Sequence, residues 1–165
     1  MGRTVIVTGT GNNGSQPWHA GGILQQGKTE EIQLAVGAFE PTLNVQLWKD
    51  YEDEMEIYLE HPAGERVGPL FETLGAQRWQ AGNTKLLIYY GKPAPYHVTQ
   101  EIYVDFLPQD EKTPYVDSGV WKIILAARNI KNGEYFLWLP GGKTLNPGTA
   151  FYLPRPQGTL TCLLY

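Results

Sequence analysis

The sequence predicts an all-β protein: a jelly-roll-like antiparallel β-sandwich of about eight strands, with an extra N-terminal strand and loop. Three observations predict it. Apolar residues recur at every second position over most of the chain, the period of a half-buried strand. Aromatic residues are abundant, with ten Tyr, five Trp and five Phe, and rings suit a pleated surface. Nineteen Gly and 12 Pro punctuate the 165 residues so often that long helices find no room.

Taken in order, the chain opens with Val5-Ile6-Val7-Thr8, an apolar run without alternation. Such a run suits a strand covered on both faces. It breaks into Gly9, Gly11 and Gly14 with Asn12 and Asn13 between them. Glycines at the carboxyl end of a parallel strand let the backbone approach a ligand, and an Asn held there offers a fixed side-chain donor. The plain alternative is a glycine-rich turn into the sandwich.

Alternation begins after residues 24–31. Ile32, Leu34 and Val36 share one face, as do Leu43, Val45 and Leu47, then Met55, Ile57 and Leu59. Leu86, Ile88 and Tyr90 follow. Ile102, Val104 and Phe106 stand against Glu101, Tyr103 and Asp105. Trp121, Ile123 and Leu125 form a further row, and Tyr135, Leu137 and Leu139 another, with short strands near Phe151 and Leu160. Turn signals separate them: "FEPT" at 39–42, "HPAGE" at 61–65, "GKPAP" at 91–95, "NIKNGE" at 129–134 and "PGGKTLNPG" at 140–148. One face buried and one wet makes two packed sheets. Residues 66–84 lack the pattern and read as a loop, or a short helix near "PLFETLGAQRW".

Charged residues are 18%, the net charge is −4, and no run of Lys or Arg occurs. That argues against nucleic acid as a partner. No stretch of about 18 apolar residues marks a membrane span. "MGRTVIVTG" has no secretory-signal pattern, so the chain reads as soluble, though a leader removed earlier is compatible with it. Cys162 is the sole cysteine, which rules out an internal disulfide.

His19, His61 and His97 are far apart, and no metal-ligand spacing occurs, so neither a metal nor another cofactor is expected. His61 reads as a solvated turn residue. "KDYEDEME" at 49–56 holds five carboxylates without calcium-loop spacing, and reads as a solvated acidic turn. Tyr58, Tyr89, Tyr103, Phe136 and Trp138 lie opposite the main apolar rows. Rings so placed stack on sugars, pack on a host domain, or cover a neighbouring loop.

"VIVTGTGNNG" resembles the oxyanion segment of subtilisin-like serine proteases, which ends in Ala-Gly-Asn-Glu-Gly. The match sets Gly11, Asn12, Asn13 and Gly14 on the last four positions, with Asn13 replacing the usual Glu. "WHAGGIL" at 18–24 resembles the His-x-x-Gly segment that follows in a bacterial branch of the family, one that includes spore-germination proteases and carries a β-sandwich inserted before its nucleophilic Ser. "HPAGE", "SGVWKIIL" at 118–125, "NGEYFLWLP" at 132–140 and "TAFYLPRPQGTLT" at 149–161 resemble a turn and the last strands of that insert.

The resemblance implies that Asn12 is the oxyanion-hole donor of the parent, supported by Gly11, Gly14 and His19. It implies that residues 1–24 are a fragment of the catalytic domain and 25–165 the inserted jelly roll. The family's Asp, His and Gly-Thr-Ser motifs are missing: the only serines are Ser15 and Ser118, and neither follows Gly-Thr. The implied role is a non-catalytic insert of a serine endopeptidase that shapes substrate access, stability or assembly. Its implied partners are the rest of the catalytic domain, a peptide substrate, or a second copy. A bacterial, exported, cell-surface or spore-associated setting goes with the family. The alternative is a free-standing sandwich that binds carbohydrate or protein through Tyr58, Tyr103, Phe136 and Trp138.

Overall fold

In the computed structural model, which describes residues 17–73, 75–92, 98–141 and 144–152, the alternating segments become eleven strands in two antiparallel sheets. In chain order they are β1 (His19–Ile23), β2 (Thr29–Val36), β3 (Leu43–Asp50), β4 (Glu54–Glu60), β5 (Arg66–Val67), β6 (Ala76–Ala81), β7 (Thr84–Tyr90), β8 (Thr99–Pro108), β9 (Gly119–Asn129), β10 (Glu134–Trp138) and β11 (Ala150–Phe151). One sheet has the order β1-β10-β3-β8-β7-β6, the other β11-β2-β9-β4-β5. Chain neighbours β2 and β3, β3 and β4, β8 and β9, and β9 and β10 lie in opposite sheets, the wrapping of a jelly-roll-like sandwich.

The inward rows are the ones the sequence marks. Leu43, Val45 and Leu47 of β3 pair in register with Phe106, Val104 and Ile102 of β8. Across the interior stand Leu34, Trp121 and Ile123 of β2 and β9, all buried. Phe106 meets Trp121 edge-to-face at 5.1 Å, which joins the two sheets. The Trp121 indole N–H donates to the Asp117 carbonyl at 2.9 Å, so its one polar atom is satisfied.

The stretch 66–84 corrects the expectation of a loop or helix. No described residue is helical there; it carries β5 and β6, and β6 forms a hairpin with β7. Gly82 and Asn83 are the two-residue loop, with Gly82 at φ +56° in its first position, where this hairpin class favours glycine. The alternation was hidden because Gln77 occupies an inward position. Its amide replaces a strand partner: Oε1 accepts the Phe71 N–H at 2.9 Å, and Nε2 donates to the Phe71 carbonyl. β1 likewise adds a strand to the sandwich, hydrogen-bonded to β10 from His19↔Trp138 to Ile23↔Glu134. The segments around Val5–Thr8 and Leu160 lie outside the described residues.

Two polar hubs lock the ends. At one end His61 is not solvated, as its turn position suggested. Its side chain is 11% exposed and edge-on to Trp121. Nδ1 accepts the Ala63 N–H at 3.0 Å, so Nε2 carries the proton and donates to Asp117 at 3.0 Å. At the other end the acidic stretch 49–56 is not wholly solvated either. Asp53 is buried because its carboxylate accepts the N–H groups of Lys131, Asn132 and Gly133 at 2.6, 3.0 and 2.7 Å. Lys49, buried beside it, donates to the Asp53 carbonyl at 2.6 Å, and burial lowers its pKa.

Candidate functional site

The outward face of the six-stranded sheet gathers most of the aromatic residues singled out from the sequence. Outward positions of β3 hold Asn44, Gln46 and Trp48; those of β10 hold Phe136 and Trp138; those of β8 hold Glu101, Tyr103 and Asp105. Register aligns them across strands. Trp138 faces Gln46, Gln46 faces Tyr103, and Tyr103 faces Tyr89 of β7. Phe136 faces Trp48, which faces Glu101. His19 of β1 stacks on Trp138 at 4.0 Å and lies nearly parallel to Phe136 at 6.0 Å. Gly21 allows this approach, since a Cβ there would come within 2.8 Å of the Tyr135 carbonyl and 3.0 Å of the Phe136 ring.

The polar groups on this face are poorly satisfied. His19 Nε2, Trp138 Nε1 and Asn44 Oδ1 are buried and find no hydrogen-bond partner among the described residues. Each such group costs about 1–3 kcal/mol in the isolated chain. Burial lowers the pKa of His19 and raises that of Glu101. Burial also raises Asp105, partly offset by a hydrogen bond from Tyr103, and raises Tyr103. Among the described residues no Lys or Arg forms an ion pair with Glu101 or Asp105.

The structure therefore brings His19, Tyr103, Phe136 and Trp138 together and separates Tyr58 from them. Tyr58 lies on β4, on the outer face of the other sheet, where its hydroxyl donates to Glu56 at 2.7 Å and Arg128 pairs with the same carboxylate. Around it Lys122 bridges Glu31 at 3.2 Å and Glu60 at 3.1 Å, and Arg66 holds Glu60 at 2.7 Å. Trp48 was missed from the sequence. Its signal is its phase, opposite to Leu43, Val45 and Leu47 on the same strand. Asn12, Gly11 and Gly14 lie outside the described residues.

The described residues hold no nucleophile paired with a base. Both nitrogens of His61 are engaged, by Asp117 and by the Ala63 N–H, so no lone pair is left to take a proton from a serine. Ser118 is exposed next to Asp117 and makes no hydrogen bond to either histidine described.

No family model matches the chain, and no curated protein does. Among solved structures it is similar to the Clostridium perfringens CspB protease, at 27% sequence identity and a TM-score of 0.75. The likeness covers 88% of this chain and 29% of that one, so this chain spans less than a third of the protease's length. The sandwich is thus a protease-related module.

Proposed function

We propose that this chain is the inserted jelly roll of a subtilisin-like serine endopeptidase together with the strand and loop bearing Asn12, and that it performs no hydrolysis by itself. The observation that carries this is the likeness over 88% of the chain to a segment covering 29% of a protease. The absence of a Gly-Thr-Ser motif and the double engagement of His61 support the non-catalytic role. Asn12 supplies an oxyanion donor to chemistry whose nucleophile belongs to the rest of the catalytic domain.

The outer face of the six-stranded sheet supports a docking role. Rings at the centre of an interface carry most of its energy. Docked there, the sandwich stabilises the catalytic domain and borders its substrate entrance.

The test treats extract of the source cells with a biotinylated serine-directed phosphonate and probes it with an antibody raised against the sandwich. The expected result is a labelled polypeptide much longer than 165 residues. An unlabelled 165-residue product, or labelling of the isolated chain at Ser15 or Ser118, contradicts the reading. Saturable binding to a glycan array through Tyr103, Phe136 and Trp138 supports the free-standing carbohydrate module instead.

A further inference from the structure

We infer that the open groove between the 37–42 loop and the 109–118 loop is a binding site for an arginine side chain presented by a polypeptide. The groove encloses about 630 Å³ at the Trp121 end of the sandwich, away from the Tyr103–Trp138 face. That volume falls within the range of ligand sites and exceeds one side chain, leaving room for flanking backbone.

Phe39 is the first indication. Its backbone sits at φ +63°, a left-handed conformation that a bulky residue rarely adopts. Yet Phe39 is 70% exposed, its ring edge-to-face with that of Tyr115 at 5.4 Å, and Tyr115 is itself 42% exposed. The strain therefore gains nothing from burial of this ring. The loop is nevertheless rigidly held. Asn146 Nδ2 donates to the Ala38 and Phe39 carbonyls at 3.2 and 2.6 Å. The adjacent Glu40 is buried, and its carboxylate accepts the Asn146 N–H at 3.0 Å and the Thr149 hydroxyl at 2.7 Å. Its carbonyl accepts the Val116 N–H at 2.9 Å, tying the Phe39 loop to the Tyr115 segment. A strained, exposed ring on a fixed mount marks a contact made outside the chain.

The polar lining selects the ligand. The side-chain amide of Asn83 gives one N–H to Thr113 at 2.7 Å, and the Asn83 backbone N–H goes to Asp117 Oδ2 at 2.6 Å. His61 takes the same Asp117 oxygen, and Asp110 Oδ1 accepts the Lys112 N–H at 3.0 Å. The other oxygens of Asp110 and Asp117 have no partner among the described residues, and no Lys or Arg lines the groove. Two rings and two carboxylates fit a flat cation rich in donors. Guanidinium stacks on aromatic faces and forks onto carboxylate, which an ammonium does less well. Carboxylates only accept, and their charge favours a donor-rich cation over a neutral sugar.

The test titrates the chain against a fluorescein-labelled Gly/Ser heptapeptide with one central Arg, reading anisotropy. Matched peptides carry Lys or citrulline, and an uncharged hexasaccharide serves as competitor. Saturable, salt-sensitive binding of the Arg peptide is expected, weakened about tenfold or more by Lys or citrulline and by Asp110→Asn. Phe39→Gly is the decisive variant: glycine accepts the positive φ, so the melting temperature holds or rises while binding is lost. No saturation by the Arg peptide, equal binding of the citrulline peptide, displacement by the hexasaccharide, or full binding by Phe39→Gly overturns the inference.

Discussion

The two outer faces of this sandwich grow from the same rule of alternation and end with different chemistry. On the five-stranded sheet the outward residues form a lattice that closes on itself: Glu31, Lys122, Glu60 and Arg66 in one chain of pairs, Tyr58, Glu56 and Arg128 in another. On the six-stranded sheet they include rings, with buried polar atoms on His19, Trp138 and Asn44 that no described residue satisfies and carboxylates on Glu101 and Asp105 that pair with no described cation. A face completed inside its own chain is finished in water. A face with rings packed and polar atoms left over suits the proposed docking on another surface.

The sharpest way to break this contrast is to place a charge on each face within the longer protease proposed above. Trp138→Asp should reduce the yield of folded, phosphonate-reactive enzyme at least about tenfold, since a buried aromatic anchor contributes about 2 kcal/mol or more to an interface. Tyr58→Asp should leave the yield unchanged. Equal losses from both variants would dissolve the distinction.

The next effect concerns the turn that delivers β10 to the aromatic face. Asp53→Asn removes the charge that three backbone N–H groups share, and should lower unfolding free energy by about 2–3 kcal/mol in a denaturant titration. An unchanged midpoint would show that β10 is held by its strand pairing alone.

Smaller effects should differ in sign between the faces. Glu101 has its pKa raised by burial, so its charge weakens folding above the ordinary carboxylate range, and Glu101→Gln should raise the melting temperature at pH 7. Glu56 has its pKa lowered by hydrogen bonds from Tyr58 and Arg128. Its stabilisation is present above the unfolded pKa and is lost as pH falls through the folded one, so Glu56→Gln should lower the melting temperature at pH 7. His19 has a pKa lowered by burial, so the unfolded chain takes up its proton first. Stability should then fall as pH drops below about 6.5 toward the folded pKa, and His19→Gln should remove that component. Melting curves that move in the same direction for Glu101→Gln and Glu56→Gln would contradict the comparison.

What was legible in the sequence follows from what periodicity encodes. Inward rows such as Leu43–Leu47 and Ile102–Phe106 are visible because a strand alternates with period two and one face is dry. Phase within a strand separates inward from outward, but does not say from which sheet a side chain projects. That is why Tyr58 read as equivalent to Tyr103 and Trp138 although the fold sets them on opposite sides. β1 was hidden by Gly21 and Gly22, β5 by its two-residue length, and β6 by inward Gln77. His61 and Asp53 read as solvated turn residues in the sequence because their partners, Asp117 and the 131–133 backbone, lie 56 and roughly 80 positions away. Hydrogen bonds that close over such distances leave no local pattern.

The most direct measurement is hydroxyl-radical footprinting of the aromatic side chains, in the isolated chain and in the proposed longer protease. The account requires that oxidation of Trp138, Phe136 and Tyr103 drop sharply in the protease while that of Tyr58 stays the same. Equal oxidation of Trp138 in both settings would show that the aromatic face meets no partner there, and would contradict the docking role.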